Sequence, residues 1–268
     1  MAKTEVVLSR DYQVVKHNDL IQKSRYELST QEQKIILYLI TKIKPEDTEL
    51  MLYEFSIKDF CEVCGINTSG KNYLDLKKTI KELSDKSIWV KLENGKETLL
   101  RWIERPYIDE NSGTIEIKLD ELMRPYLLQL KEHFTAYSIY YTLAMKSKYS
   151  IRIYELLKSY ENLTEHTFGI DDLKKMLFAE KYEIYKDFRI KVLDVAVREI
   201  NDYSDISVAY TTEKENRKVN RIRFKIKPKK DEKERMETIK KIEKILNPNQ
   251  ISGQLNLFEN QKRRNEYE

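Results

Sequence analysis

One arrangement of predicted secondary-structure elements occurs twice along the chain, and this repetition limits the possible architecture more than any other feature. In each copy an apolar helix precedes a short segment, a longer helix and a β-hairpin. The short segments are residues 55–60 (FSIKDF) and 168–173 (FGIDDL). Because a repeated supersecondary unit fixes the organisation of a whole chain, this order predicts an α+β fold of two tandem winged helices. The third helix of a winged-helix domain can enter a groove of DNA, so this fold predicts a protein that binds nucleic acid.

The first unit has clear signals for where its elements begin and turn. Ser29 followed by Glu32 is a capping box, which marks a helix start. Asn94 and Gly95 form a two-residue turn that favours a tight hairpin. The predicted elements are helices at residues 30–44 and 71–86 and hairpins at residues 87–103 and 107–119. The first unit is therefore expected to contain more β-sheet than the second.

The second unit repeats the order and is followed by a change in composition. Its predicted elements are helices at residues 140–160, 170–177 and 185–202 and a hairpin at residues 208–226. A charged helical stretch at residues 231–246 precedes a polar tail that is expected to be flexible. The predicted domains are an N-terminal winged helix that contacts DNA and forms dimers (1–133), a C-terminal winged helix that is the main DNA-binding domain (134–228), and a charged helix with a flexible tail (229–268).

Composition narrows the class of protein without naming its partner. The chain has 268 residues, of which 40% are hydrophobic and 35% charged, enough to fill two cores and keep the surface polar. It has no apolar run of membrane-spanning length and no charged-then-apolar start, which predicts a cytoplasmic protein without a membrane partner. The net charge of +4 is small, so any binding of nucleic acid depends on where the basic residues cluster.

Cys61 and Cys64 form a C-x-x-C motif that could be a redox pair or half of a zinc site. They also share the apolar face of a short helix with Ile57 and Phe60, where cysteine behaves as a small hydrophobic residue. No second pair of ligands lies nearby in the sequence. We therefore predict that both cysteines belong to the core.

No catalytic, metal or cofactor site is predicted. Residues 65–71 (GINTSGK) are similar to a phosphate-binding loop, but a predicted helix precedes them and Asn72 stands where magnesium binding needs Ser or Thr. The histidines are far apart in the sequence: His17, His133 and His166. They form no pair that could hold the metal of a DNA-nicking enzyme. The chain is thus expected to be a binding protein, not an enzyme, and to use no cofactor.

The third helix of a winged helix lies in the major groove, where residues near its N-terminus reach base edges. The candidates in the first unit are Lys71, Asn72, Tyr73, Lys77 and Lys78, and those in the second are Lys181, Tyr182, Tyr185, Lys186 and Arg189. Arg189 could pair with guanine and Asn72 with adenine, while the lysines contact phosphate. The alternative is an ordinary solvated helix face.

The hairpin of the second unit is rich in basic residues. Those that alternate through it are Lys214, Arg217, Lys218, Arg221, Arg223 and Lys225. We predict that Arg217, Lys218, Arg221 and Arg223 contact the phosphate backbone. The alternative is an edge hairpin whose positive charge protects it from aggregation.

Several segments carry a family resemblance over residues 14–227. They are residues 17–21 (HNDLI), 28–34 (LSTQEQK), 146–157 (KSKYSIRIYELL), Tyr185 with Phe188, and 199–201 (EIN). These segments resemble the plasmid replication initiator (Rep) family. The resemblance implies a non-enzymatic initiator that binds repeated origin sequences called iterons, helps to melt the origin and recruits host replication proteins such as a helicase. It also implies a monomer in equilibrium with a homodimer that represses the initiator's own gene at an inverted repeat.

The tail contains a compact amphipathic pentapeptide, residues 254–258 (QLNLF). It resembles the peptide with which bacterial replication proteins dock onto the sliding clamp, and Gln254, Leu255, Leu257 and Phe258 would be its contact residues. Asn256 departs from the pattern, since Ser or Asp is more usual there. The alternative is a weak surface anchor against the protein's own domain.

Two other functions use the same elements. A winged-helix transcriptional regulator would bind DNA with these helices and have no replication role. A rolling-circle nicking enzyme would need a histidine pair that the sequence lacks. A direct repeat in DNA suits a monomer with two recognition helices, whereas an inverted repeat suits a two-fold dimer.

Overall fold

The computed structural model describes residues 12–63, 70–91, 95–109 and 111–246. These residues form two winged-helix units in sequence, as the repeat predicted. The elements of the first unit are β1 (Gln13–His17), α1 (Asn18–Gln22), α2 (Thr30–Ile40), β2 (Leu52–Ser56), α3 (Ile57–Val63), α4 (Gly70–Ser84), β3 (Ser87–Lys91), β4 (Glu97–Arg101), β5 (Tyr107–Asp109) and β6 (Thr114–Lys118).

The capping box at the start of α2 is present. The Glu32 carboxylate accepts the backbone N–H of Ser29 at 2.6 Å, and the Ser29 hydroxyl accepts the backbone N–H of Glu32 at 3.3 Å. The helix ends at Ile40, four residues before the predicted end. Thr41 caps this end, and its hydroxyl donates to the Tyr38 carbonyl at 2.6 Å.

Two sheets follow in the first unit. The first hairpin forms the pair β3 and β4, and the described residues of the second hairpin join β2 in the order β2-β6-β5. Gly95 and Gly113 have φ angles of +81° and +67° in the turns of these hairpins, where L-residues are disfavoured. Cys61 lies in the core on α3, as predicted, and burial raises the pKa of its thiol. Cys64 lies outside the described residues.

The segment between the units contains α5 (Arg124–Leu127), β7 (Phe134–Ser138), α6 (Tyr140–Leu143) and α7 (Lys148–Ser159). The predicted single helix at residues 140–160 is therefore wrong, because it is broken between Leu143 and Lys148. The Glu199 carboxylate accepts the backbone N–H groups of Lys146 and Ser147, each at 3.2 Å. These hydrogen bonds satisfy the backbone at the break and start α7.

Helix α7 belongs to the second unit in the repeat but is buried against the first. Its Glu155 carboxylate accepts from the Lys16 ammonium group on β1 and the Tyr137 hydroxyl on β7, both at 2.5 Å. Burial raises the pKa of Glu155, but the positive charges of Lys16 and Arg152 outweigh it and hold the pKa below its usual value. The Arg152 guanidinium also donates to the Ile21 carbonyl at 2.6 Å.

Strand β7 pairs antiparallel with β1, from Gln13 opposite Ser138 to His17 opposite Phe134. This pairing joins residues on the two sides of the predicted domain boundary between residues 133 and 134. The two units also share one continuous cluster of buried side chains. The domain boundary remains a prediction.

The second unit contains β8 (Glu165–Gly169), α8 (Ile170–Met176), α9 (Tyr185–Phe188), a π-helical turn (Arg189–Leu193), α10 (Asp194–Tyr203), β9 (Ile206–Glu215) and β10 (Lys218–Pro228). We call residues 185–203 the third helix of this unit. Its sheet has the order β8-β10-β9, so the second strand of the hairpin is central. Phe188, Val192, Ala196 and Ile200 are fully buried on the inner side of the third helix, where the apolar spacing predicts them. Val195, which the same spacing predicts on the inner side, is only partly buried.

The charged stretch forms α11 (Glu232–Leu246), which packs on the second unit. Its Glu243 carboxylate accepts the Tyr140 hydroxyl at 2.6 Å. No helix of the described part could span a membrane. The predicted flexible tail, including Gln254, Leu255, Leu257 and Phe258, lies outside the described residues.

Candidate nucleic-acid interface

The third helix of the second unit presents a basic face to solvent. Phe188 and Val192 are four residues apart and fully buried, so the intervening side chains point away from the core. Lys186 and Arg189 are exposed on this outer face, as predicted. The face can therefore meet an extended polyanion while its opposite side packs on the sheet and helices of the unit.

A π-helical turn interrupts the third helix at Arg189. The Asp194 backbone N–H donates to the Arg189 carbonyl five residues earlier, in place of the four-residue step of an α-helix. The Asp194 carboxylate then lies 3.7 Å from the Arg189 guanidinium and accepts the Tyr210 hydroxyl at 2.6 Å. The turn thus links the predicted base reader to strand β9 through Asp194.

Two tyrosines lie beside this link. Burial raises the pKa of Tyr210, and its hydrogen bond to Asp194 acts in the same direction. Burial also raises the pKa of Tyr185, a predicted DNA contact that is half-buried at the start of the helix. Both hydroxyls are therefore neutral near pH 7. The Tyr210 hydroxyl donates a hydrogen bond to the Asp194 carboxylate, a contact that the sequence did not predict.

The loop before the third helix holds the other two predicted residues. The Lys181 ammonium group lies 5.3 Å from the centre of the Tyr182 ring, and that of Lys191 lies 5.8 Å from it. The Tyr182 ring also packs edge-on against Tyr149 on α7, at a centroid distance of 6.1 Å. Tyr182 is half-buried, and its ring lies near two cations, Lys181 in the same loop and Lys191 on the third helix. The predicted DNA contact of Tyr182 remains a prediction.

The predicted wing residues fall into two groups. Arg217 and Lys218 lie at the hairpin tip, where Arg217 has a φ of +68°. Arg221 and Arg223 lie on the central strand β10, exposed on the sheet face opposite the buried Ile222. Lys214 and Lys225 are also exposed. The tip and the outer sheet face are therefore two separate basic surfaces.

Acidic neighbours reduce the free positive charge on the outer sheet face. The Arg223 guanidinium lies 2.5 Å from the Glu213 carboxylate, and both side chains are more than a third exposed. An exposed ion pair of this kind contributes little to stability, so DNA phosphate could replace the carboxylate at small cost.

In the first unit the third helix of the winged helix is α4, which buries Leu76, Ile80 and Leu83 and exposes Lys77 and Lys78. The Lys78 ammonium group lies 3.7 Å from the Glu82 carboxylate in a solvent-exposed pair. The remaining predicted contacts occupy the first turn of this helix, where the roles of their side chains remain predictions: Lys71, Asn72 and Tyr73.

Two ionic contacts that the sequence did not predict lie near these helices, the first within the first unit and the second between the two units. Lys86, just after α4, lies 2.6 Å from the Glu32 carboxylate on α2. Lys148, at the start of α7, lies 2.6 Å from the Glu27 carboxylate. The hydrogen bond from Lys148 lowers the pKa of Glu27, and the nearby charges of Lys86 and Lys181 lower it further. Glu27, in the segment before α2, therefore lies close to positive charges from both units.

Comparison with known proteins agrees with this architecture. The family model described as "Initiator Replication protein, WH1" matches residues 13–158, and the model "Initiator Rep protein, WH2" matches residues 169–226. The first model ends at the end of α7, so it includes the helix that the two units share.

Two curated Escherichia coli proteins are similar. One, named "Replication initiation protein", is 30% identical over 207 residues, which cover 73% of this chain and 64% of that protein. The other, named "PI protein", is 29% identical over 153 residues, which cover 50% of this chain and 49% of that protein. The chain spans between about half and two thirds of the length of these relatives.

Among solved structures, the WH1 domain of MSBI1.176, a replication protein isolated from a multiple sclerosis patient, covers 40% of this chain and 86% of its own length at 23% identity and a TM-score of 0.32. Domains 2 and 3 of RctB cover 84% of this chain and 94% of their own length at 13% identity and a TM-score of 0.45. The family models match both winged-helix units in the order found here, and the chain therefore belongs to the family of plasmid replication initiator (Rep) proteins.

Proposed function

We propose that this protein binds repeated origin sequences, the iterons, as a monomer that places both third helices in successive major grooves of one duplex. The observation that carries the proposal is that each unit exposes a basic face on its third helix while the shared helix α7 joins the units. Successive major grooves on one side of B-DNA are about 34 Å apart, so a monomer would cover roughly two helical turns.

The binding step would then promote origin opening and the recruitment of host replication proteins, including a helicase, in the cytoplasm. The protein would act through binding alone, without catalysis or a cofactor. A homodimer formed through the first unit would repress the initiator's own gene at an inverted repeat. The proposed domains are those of the sequence: residues 1–133, 134–228 and 229–268.

Footprinting on DNA that flanks the gene tests the main proposal. Several protected direct repeats of equal spacing are the expected result for an initiator. A single protected inverted repeat at the promoter, with no direct repeats, would instead identify a transcriptional regulator. The two outcomes differ because a direct repeat suits an asymmetric monomer and an inverted repeat suits a two-fold dimer.

We also propose that residues 254–258 dock onto the host sliding clamp, because Leu257 and Phe258 provide two adjacent apolar anchors in a polar tail. A Leu257→Ala, Phe258→Ala variant should lose clamp binding in a pull-down with purified clamp. Its affinity for the DNA repeats should be unchanged. Clamp binding equal to that of the wild type would remove the proposed clamp contact and leave the proposal on DNA binding intact.

A further inference from the structure

Both third helices carry an exposed aliphatic side chain on the face that would meet DNA. Leu74 on α4 is 64% exposed, and Ile190 in the π-helical turn is 45% exposed. Each lies two residues before a buried position of its helix, Leu76 in the first unit and Val192 in the second. Ile184, just before the third helix of the second unit, is 66% exposed. Each unit therefore places an exposed aliphatic group on the solvent side of its third helix.

Basic residues lie next to both aliphatic groups, and acidic residues are also near: Asp75 beside Leu74, and Asp187 and Asp194 on either side of Ile190. Lys77 and Lys78 follow Leu74 by three and four residues, which places them on the neighbouring part of the same helix face. In the second unit, Lys186 precedes Ile190 by four residues and Arg189 is adjacent in sequence. Single exposed aliphatic residues are common on proteins. An aliphatic group within a basic helix face, repeated in two units of different sequence, is a more specific arrangement.

The chemistry of the major groove offers one apolar group to such a side chain. Base edges there present hydrogen-bond donors and acceptors, together with the 5-methyl group of thymine. Lysine and arginine contact phosphates and guanine but do not distinguish a methyl group from water. An aliphatic side chain gains free energy when it covers the methyl group, since both surfaces leave water.

We propose that Leu74 and Ile190 each contact the 5-methyl group of a thymine, so that every binding site contains one methyl-dependent thymine for each unit. The π-helical turn supports this assignment in the second unit. Arg189 and Ile190 lie in this turn and are exposed between the buried Phe188 and Val192, and such turns are frequent at functional sites. The inference rests on the proposed binding of DNA through the third helices.

Deoxyuridine provides the test, because it lacks only the methyl group of thymidine. Thymines of a duplex repeat, identified by footprinting or by selection from random DNA, are replaced one at a time. The dissociation constant is then measured for the wild-type full chain. We expect about fourfold weaker binding at each contacted thymine and no change at the others, as for the loss of one buried methyl contact.

Variants assign each thymine to a unit. Ile190→Ala should bind thymine DNA more weakly and lose its response to deoxyuridine at one position, while it keeps the response at the other. Leu74→Ala should show the reverse pattern. Leu163→Ala is the matched control, since Leu163 is 59% exposed in a turn outside both helices, and it should behave as the wild type.

Two results would overturn the inference. One is a wild-type affinity for fully deoxyuridine-substituted DNA that equals the affinity for thymine DNA. The other is an unchanged response to deoxyuridine in both variants. In either case specific binding of the repeat would still be present, so the proposed function would survive. Absence of specific binding to any duplex would contradict the proposed function itself.

Discussion

The two winged-helix units share an element order but differ in the pairing of the strand that belongs to the short repeated segment, β2 in the first unit and β8 in the second. In the second unit β8 pairs with β10, the return strand of the hairpin that follows the third helix. In the first unit β2 pairs instead with β6, from a second hairpin, and β3 and β4 form a separate pair. The hairpin after the third helix thus supplies the central strand of the three-stranded sheet in the second unit. In the first unit the corresponding hairpin lies outside the three-stranded sheet.

This difference changes what each hairpin can do. In the second unit, neighbours on both sides fix β10, and Tyr210 ties β9 to the third helix through Asp194. A basic tip on such a hairpin keeps its position relative to the recognition face. The main sheet of the first unit also has three strands, and its hairpin of β3 and β4 forms a separate pair with fewer basic residues than the hairpin of the second unit. We therefore expect the second unit to make the main contacts with DNA.

The largest expected effect concerns the contact that makes the two units depend on each other. Glu155→Ala would leave the Lys16 ammonium group buried without its partner, which costs about 3 to 5 kcal/mol. Urea unfolding of the full chain measures this loss. Asp19→Ala is the control, because its ion pair with Lys23 is exposed and should contribute less than about 1 kcal/mol. Equal effects of the two substitutions would contradict the importance of the buried contact.

The next effect compares the two recognition faces. Arg189→Ala should weaken specific DNA binding by about 1 to 3 kcal/mol and relax the preference at one base pair. Lys78→Ala in the first unit should weaken specific and random DNA alike, because we propose that this lysine contacts phosphate. Titration of both variants against the repeat and a scrambled duplex separates these outcomes. Equal losses on both duplexes for Arg189→Ala would refute its role as a base reader.

Local periodicity was enough to predict the elements of both recognition faces, including the buried stripe of Phe188 and Val192. It could not predict the π-helical turn, because one altered backbone hydrogen bond leaves the pattern of apolar residues almost unchanged. Arg189 and Asp194 are five residues apart and would not face each other on a regular α-helix. Their proximity is a result of that turn.

Contacts distant in sequence were also beyond prediction. The break before α7 depends on Glu199, which is more than fifty residues away from Lys146 and Ser147. The pairing of β2 with β6 depends on the second hairpin, whose strands could equally have paired with β3 and β4 of the first hairpin. Sequence patterns specify which face of a strand is apolar, but several partners can cover the same face.

A smaller effect is expected where the second hairpin meets its helix. Tyr210→Phe removes the hydroxyl that donates to Asp194 and should destabilise the second unit by about 0.5 to 1.5 kcal/mol. The freed carboxylate would also attract Arg189 more strongly and weaken specific DNA binding. Tyr203→Phe is the matched control, because Tyr203 is a half-buried tyrosine at the far end of the same helix. Unchanged DNA affinity in Tyr210→Phe would show that Asp194 does not position Arg189.

The smallest effect distinguishes the two hairpin tips. Lys218→Ala should weaken binding to all duplexes and lower the slope of log affinity against log salt by about one, because one phosphate contact is lost. Lys96→Ala, beside the turn of the first-unit hairpin, should leave the slope nearly unchanged if that hairpin does not lie along the phosphate backbone. Affinities measured at several salt concentrations give both slopes. A larger change for Lys96→Ala than for Lys218→Ala would reverse the expected division of roles and make the first unit the stronger electrostatic contact.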